Sequence, residues 1–200
     1  LLSIRTGRPV QVVMDREEEF RDGKPAPGCV TRLKLGANSD GTLTAIEGRI
    51  VWDGGWTGGG GAPNRLKGPY RFPNVRLAGY AVRTNKPSPG AYRAPGSPQT
   101  AFAVESTMDL LARKLGMDPL ELRLMNGVGV GEPSLGGTPL PGDWFKETLR
   151  KTADTARWGK RRLKRNQGQG IACGEWTNGS GPSNAFITIG EDGSVSLLTG

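Results

Sequence analysis

Glycine and proline set the first limit on this chain. Its 200 residues include 32 glycines and 15 prolines. Glycine loses the most backbone entropy on ordering, and proline lacks an N–H, so both interrupt helices and central strands. A chain of this kind folds with many turns and few long helices. Hydrophobic residues make up 35% and charged residues 23%. That apolar share is low for a compact domain but too high for a disordered chain. A chain this long buries about 70% of its unfolded surface, enough for a real core. Nowhere do about 18 apolar residues run together, so no membrane-spanning helix is expected. The sequence opens on Leu1 rather than methionine, shows no secretory signal, and stops in the apolar run Val195 to Leu198. It reads as a piece of a longer chain, cut at both ends.

Composition also narrows the chemistry. Cys29 and Cys173 are too few for a disulfide scaffold or an iron–sulfur cluster, and there are no histidines. That removes the Ser-His-Asp triad and any histidine-based zinc site. What remains is carboxylate, Arg, Lys, Tyr, backbone amide or bound-cofactor chemistry. The net charge is +8, concentrated between Arg150 and Arg165, where eight basic residues stand against one acid, Asp154. This segment reads as a solvated helix end. The alternative is a docking patch for an anionic partner, although no aromatic stacking platform accompanies the charge.

Local patterns place the elements. Val10 to Met14 reads as a short buried strand, after which Asp15 caps an acidic turn through Glu17, Glu18 and Glu19. Thr31, Leu33 and Leu35 alternate with Arg32 and Lys34, the period of a half-buried strand. The turn at Asn38 to Gly41 returns the chain as a second strand, Leu43 to Trp52. A similar hairpin recurs from Phe186 to Leu198, and Val75 to Thr84 reads as a further strand. Ala101, Val104, Met108, Leu111 and Leu115 form one apolar helical stripe, ended by Gly116. Asp118-Pro119-Leu120-Glu121 is a capping box opening a second helix toward Asn126. A helix from Trp144 to about Arg157 presents Phe145, Leu149 and Ala153, and Gly170 to Trp176 reads as a strand entering the late hairpin.

Two segments could hold chemistry. Gly58 to Gly61 could bring backbone amides to a phosphate or oxyanion, or simply turn tightly; no Lys-Ser/Thr pair follows, so it is not a P-loop. Gly90 to Gln99 joins a strand to the start of the best helix. Helix-start amides and the planar fork of Arg93 suit an oxyanion or a phosphate-bearing cofactor.

An ordered series carries a family resemblance. It runs Thr6-Gly7-Arg8-Pro9-Val10, Asp15-Arg16-Glu17-Glu18-Glu19, then Ala91-Tyr92-Arg93-Ala94-Pro95-Gly96-Ser97-Pro98-Gln99. Glu105, Leu115-Gly116-Met117-Asp118-Pro119 and Leu122-Arg123-Leu124-Met125-Asn126 follow. Together these resemble the molybdenum-binding subunit of the xanthine dehydrogenase and aldehyde oxidase family, which includes the large chain of carbon monoxide dehydrogenase.

The resemblance implies an α+β fold, with parts of two consecutive molybdenum-cofactor-binding domains, their hairpins and sheets packed by helices. The first would span 1–130, a Gly/Pro-rich linker 131–142, and the second 143–200. It implies a molybdenum–molybdopterin cofactor, in bacteria often the cytosine dinucleotide form. It also implies hydroxylation with oxygen from water, and [2Fe–2S] and FAD partner subunits in a cytoplasmic dimer of heterotrimers, with no nucleic acid. Arg93 and Ala94 match the family's cofactor loop. Arg93 would sit beside the metal without ligating it. Tyr92, Pro95, Gly96 and Trp176 would line the substrate pocket. Ala94 stands where the carbon monoxide enzymes carry a copper-bridging cysteine, so that route is not expected here. The catalytic Glu of the family has no counterpart among these residues; Glu17, Glu18 and Glu19 read as a capped turn.

Overall fold

The computed structural model describes residues 1–160, 162–176 and 182–199. Arg161 of the basic segment lies outside them. The architecture is α+β, as the resemblance implies.

Strands β1 (Cys29–Ala37), β2 (Leu43–Asp53) and β3 (Asn74–Val82) form one sheet in that order. β1 alternates half-buried and exposed positions from Cys29 to Leu35, as its sequence period requires. It pairs antiparallel with β2 through the Asn38–Thr42 turn. β3 pairs parallel with β2. A parallel neighbour needs a long crossover, and the glycine-rich stretch 54–73 is that crossover. It contains two 3-10 turns, Gly55–Thr57 and Pro63–Lys67. Its Leu66 and Tyr70 are fully buried.

Helices α3 (Ser97–Leu115) and α4 (Pro119–Asn126) pack over the sheet. The core joins Leu43 and Ile46 of β2, Tyr70 and Phe72 of the crossover, Val104, Met108 and Ala112 of α3, and Leu122 of α4. Gly116 ends α3 in the left-handed conformation at φ 67°. Helix α5 (Trp144–Ala156) buries Leu149 and Ala153, and its Phe145 packs edge-on against Tyr70 at a centroid distance of 6.2 Å.

A buried ion pair ties these parts together. Arg123 is wholly buried; its Nε donates to Glu105 Oε2 at 2.8 Å and its Nη2 to Asp109 Oδ1 at 2.8 Å. Glu105 also accepts from the Tyr70 hydroxyl at 2.6 Å and from the Cys173 amide at 2.8 Å. One carboxylate thereby joins α3, α4, the crossover and segment 171–176. Burial, followed by the nearby Glu105 charge, pushes the Cys173 thiol up to about 11, so it stays protonated at neutral pH.

Several expectations need correction. Val10 to Met14 is not a buried strand: the segment is irregular and exposed, with Val12 76% and Val13 74% accessible. An apolar run becomes a strand only where a partner offers backbone groups, and none among the described residues reaches it. Gly170 to Trp176 is likewise not a strand; its anchors are side chains, Glu105 on the Cys173 amide and Glu175 on the Leu135 amide. The buried line of α3 is Thr100, Val104, Glu105, Met108 and Ala112, whereas Ala101, Leu111 and Leu115 flank it. Thr100 and Glu105 are tolerated inside because their polar atoms are satisfied. Asp118 caps α4 through the Leu120 and Glu121 amides, but Glu121 returns no bond; Trp158 Nε1 also donates to Asp118 at 3.0 Å.

Other readings hold. Asp15 and Glu18 form a reciprocal capping box on α2 (Arg16–Asp22), so the three glutamates belong to a capped turn. The late hairpin pairs β4 (Ala185–Ile189) with β5 (Val195–Thr199), both fully exposed. A short helix α1 (Leu2–Thr6) opens the chain. No helix among the described residues is long and apolar enough to cross a membrane.

Candidate functional site

The site forms where β3 hands the chain to α3. The first half of this connection is pinned by Asp53 at the end of β2. Its carboxylate accepts from Lys86 Nζ and Thr84 Oγ1, both at 2.5 Å. These bonds, the lysine's foremost, lower the Asp53 carboxyl to about 2. The second half folds on itself. The Tyr92 hydroxyl accepts from the Gly96 amide at 2.9 Å and donates to Gln99 Oε1 at 2.8 Å, while Gln99 Nε2 donates to the Pro27 carbonyl. Tyr92 is therefore a brace within the loop, and its hydroxyl is already committed.

Two left-handed residues flank Pro95: Ala94 at φ 55° and Gly96 at φ 81°. For alanine this region costs roughly 1–2 kcal/mol, offset in part by the greater freedom glycine has in the unfolded chain. Ala94→Gly is therefore expected to stabilise the fold by up to about 1 kcal/mol. Urea unfolding checks this, and a loss of stability would show that the Ala94 methyl makes a contact worth more than the strain.

Gly96 meets the glycine run of the crossover. A Cβ on Gly61 would lie 2.8 Å from Trp52 Cζ2 and 3.4 Å from Gly96 Cα. A Cβ on Gly60 would lie 2.9 Å from Trp52 Cδ1. The glycine run is thus a layer pressed between the buried Trp52 indole and the start of α3, a tight turn rather than a slack tether. The Trp52 Nε1 has no hydrogen-bond partner among the described residues.

Beside the glycine run and Gly96 opens a cavity of about 440 Å³. Pro95, Gly96 and Trp176 line it together, with Gly59 to Ala62, Arg65 and Pro89 to Ala91. Three of the four expected pocket residues are thereby neighbours; Tyr92 does not line the cavity. Arg93 is exposed and has no ion-pair or hydrogen-bond partner among the described residues. Arg65 was not foreseen. Its guanidinium lies 4.2 Å from the centroid of the Trp176 ring, and its Nη1 donates to Ser97 Oγ at 3.1 Å. No local sequence signal marks it, because Trp176 is more than a hundred positions away.

Among the described residues no group of three His, Cys, Asp or Glu side chains could hold a metal. What the loop offers is a free guanidinium, glycine-lined space and the start of a 19-residue helix without a side-chain cap. The described basic residues from Arg150 to Arg165 are exposed, and only Arg150 reaches a carboxylate, Asp143 at 3.6 Å.

Fold and site together define an α+β domain that presents a glycine-walled, cationic loop at a helix start. Residues 1–127 match the model of the molybdopterin cofactor-binding domain. The nicotinate dehydrogenase large molybdopterin subunit of Eubacterium barkeri is 35% identical over 163 residues, which are 78% of this chain and 38% of that one. The aldehyde oxidoreductase of Megalodesulfovibrio gigas is 33% identical over 98% of this chain and 23% of its own length. The crystal structure of the aldehyde oxidoreductase from Desulfovibrio desulfuricans superposes with a TM-score of 0.81 at 27% identity, over 98% of this chain and 23% of that one. The chain belongs to the molybdopterin-binding subunits of the xanthine dehydrogenase and aldehyde oxidoreductase family, a family of molybdenum oxidoreductases. It spans well under half the length of these relatives.

Proposed function

We propose that this chain is part of a molybdenum hydroxylase that oxidises an aldehyde, an N-heterocycle or a related carbon with oxygen taken from water. In this reading the electrons pass to iron–sulfur and FAD partner subunits of a cytoplasmic dimer of heterotrimers. The cofactor is molybdenum–molybdopterin, to be sought in its cytosine dinucleotide form. The division into domains 1–130 and 143–200, joined by 131–142, belongs to the same proposal. So does the location of the catalytic Glu outside these 200 residues, which leaves residues 1–200 alone without turnover.

The observation that carries the reading is the exposed, unpaired Arg93 on a braced loop whose neighbours Ala91, Pro95 and Gly96 line the glycine-walled cavity. When bound, the cofactor supplies the redox chemistry. Arg93 would hold anionic oxygen or sulfur atoms by charge and by its planar donor fork. Ala94 and Gly96 would set the backbone course next to it, and Pro95, Gly96 and Trp176 would shape the substrate space. Positioning and electrostatics are what the protein contributes in cofactor enzymes.

Elemental analysis tests this on the full-length protein, purified from its native host with whatever accompanies it. About one molybdenum per chain is expected, because the proposed cofactor carries the redox chemistry. Iron and flavin should co-purify. Absence of molybdenum from a host that makes the cofactor would overturn the reading, and the basic segment 150–165 would become the lead as a non-catalytic docking module.

A further inference from the structure

The three-stranded sheet has two faces, and the described residues cover one of them. Leu33, Leu35, Ile46 and Leu77 belong to the covered face and pack on the core beneath α3 and α4. On the opposite face the register sets the side chains in rows across β1, β2 and β3. Val30, Val51 and Tyr80 make an apolar row, with Val30 67% and Tyr80 51% accessible. Arg32 and Arg49 make the next row with Ala78, and Lys34, Glu47 and Arg76 the one after. The middle row breaks a rule of strand pairing. Arg32 and Arg49 stand directly opposite each other on antiparallel strands, where like charges destabilise the pair. Among the described residues neither reaches a carboxylate; Arg49 lies over the Tyr80 ring, 4.8 Å from its centroid. Glu47 is the one acid of these rows, and it stands between Lys34 at 3.7 Å and Arg76 at 3.9 Å. Four cations thus share one carboxylate. Opposed arginines weaken the sheet by themselves and become favourable once an anion from outside lies between them.

We infer that this face is the docking surface for an acidic, partly apolar surface of another protein chain. Carboxylates of that partner lie between Arg32 and Arg49, and its apolar margin covers Val30, Val51 and Tyr80. Arg and Tyr beside an apolar strip suit a chain–chain interface, where both residue types are enriched. The interior of a single chain, by contrast, excludes unpaired charge. Nucleic acid fits less well, because the single aromatic ring of the rows already carries Arg49 and leaves no stacking platform. The inference rests on the proposed function only in expecting partner chains.

The test uses the full-length protein and the partner chains that co-purify with it. Hydroxyl-radical footprinting compares the complex with the full-length chain expressed alone. Labelling of Val30 and Tyr80 should fall at least about threefold on assembly, as contact removes their exposed surface from water. Arg32→Glu should weaken assembly at least about tenfold, an effect that shrinks in high salt. In the chain alone the same change turns a like-charge pair into an opposite one, so its Tm should not fall. Should it fall, the neutral Arg32→Gln decides instead, with at least about threefold weaker assembly expected. Lys160→Glu, a reversal in the basic segment, should leave assembly within about twofold of wild type.

Equal labelling of Tyr80 in the complex and in the chain alone overturns the inference. So does full protection in the chain alone, since its own residues would then cover the face. Unchanged assembly in the deciding Arg32 variant overturns it, as does an equal loss in Lys160→Glu. Protection of Tyr80 by a single-stranded DNA oligonucleotide as tight as that by the partner chains overturns it too, as does the absence of any co-purifying chain. Molybdenum is assayed in the same samples. Its absence counts against the hydroxylase reading alone, and the footprint still decides the role of this face.

Discussion

Replacing Arg123 by methionine is expected to destabilise the fold by about 3–5 kcal/mol, because it leaves a buried carboxylate without its cation. Arg123 is wholly inaccessible, and it bonds Glu105 and Asp109 side chains and the Pro119 and Glu105 carbonyls. With the guanidinium gone, Glu105 keeps only the Tyr70 hydroxyl and the Cys173 amide. For a chain of this size the loss corresponds to a fall in Tm of roughly 6–20 °C. The double variant Glu105→Leu/Arg123→Met should recover much of it, since removing both members of a buried pair costs far less than removing one. Urea unfolding of the wild type and the two variants reads this directly. A single-variant loss below about 1 kcal/mol would mean that water or a shift of α4 compensates the charge.

Arg93→Ala is expected to do the reverse. Arg93 is exposed and makes no bond among the described residues, so the variant should unfold within about 0.5 kcal/mol of wild type. In the holoenzyme, on whichever aldehyde or heterocycle it turns over, kcat should fall about 100-fold, the scale of one lost charge-stabilising donor. Arg93→Lys should recover only part, because a point charge does not replace a planar fork. Full activity in Arg93→Ala would remove this residue from the proposed cofactor loop and leave the backbone of Ala94 to Gly96 to hold that role. The two arginines thus separate stability from function: one is silent toward solvent, the other toward the fold.

Much of the architecture was legible in the sequence because it is set locally. The alternation in β1, the Asn38 to Gly41 turn, the Gly116 stop and the Asp15 capping box each depend on residues within a few positions of one another. The Arg93 loop was legible as an ordered string of letters, and Glu105 and Arg123 were both in the same series. Their pairing was not visible, because they lie 18 residues apart on different helices. For the same reason α3 turns Thr100 and Glu105 inward, against the simple apolar stripe.

Some features only the tertiary structure decided. Val10 to Met14 has the letters of a strand and no neighbour to pair with among the described residues, so its backbone stays exposed. Gly58 to Gly61 could be a phosphate cradle or a slack loop by sequence; packing against Trp52 and Gly96 makes it a rigid wall. Arg65 and Trp176 meet across more than a hundred residues, and no local propensity encodes that meeting. The sequence by itself determined the turns, caps, periodic faces and family loop, since short-range sterics and hydrogen bonding set them. Which charges are buried and which residues share the cavity depended on long-range packing, where a side chain's environment is supplied by distant parts of the chain.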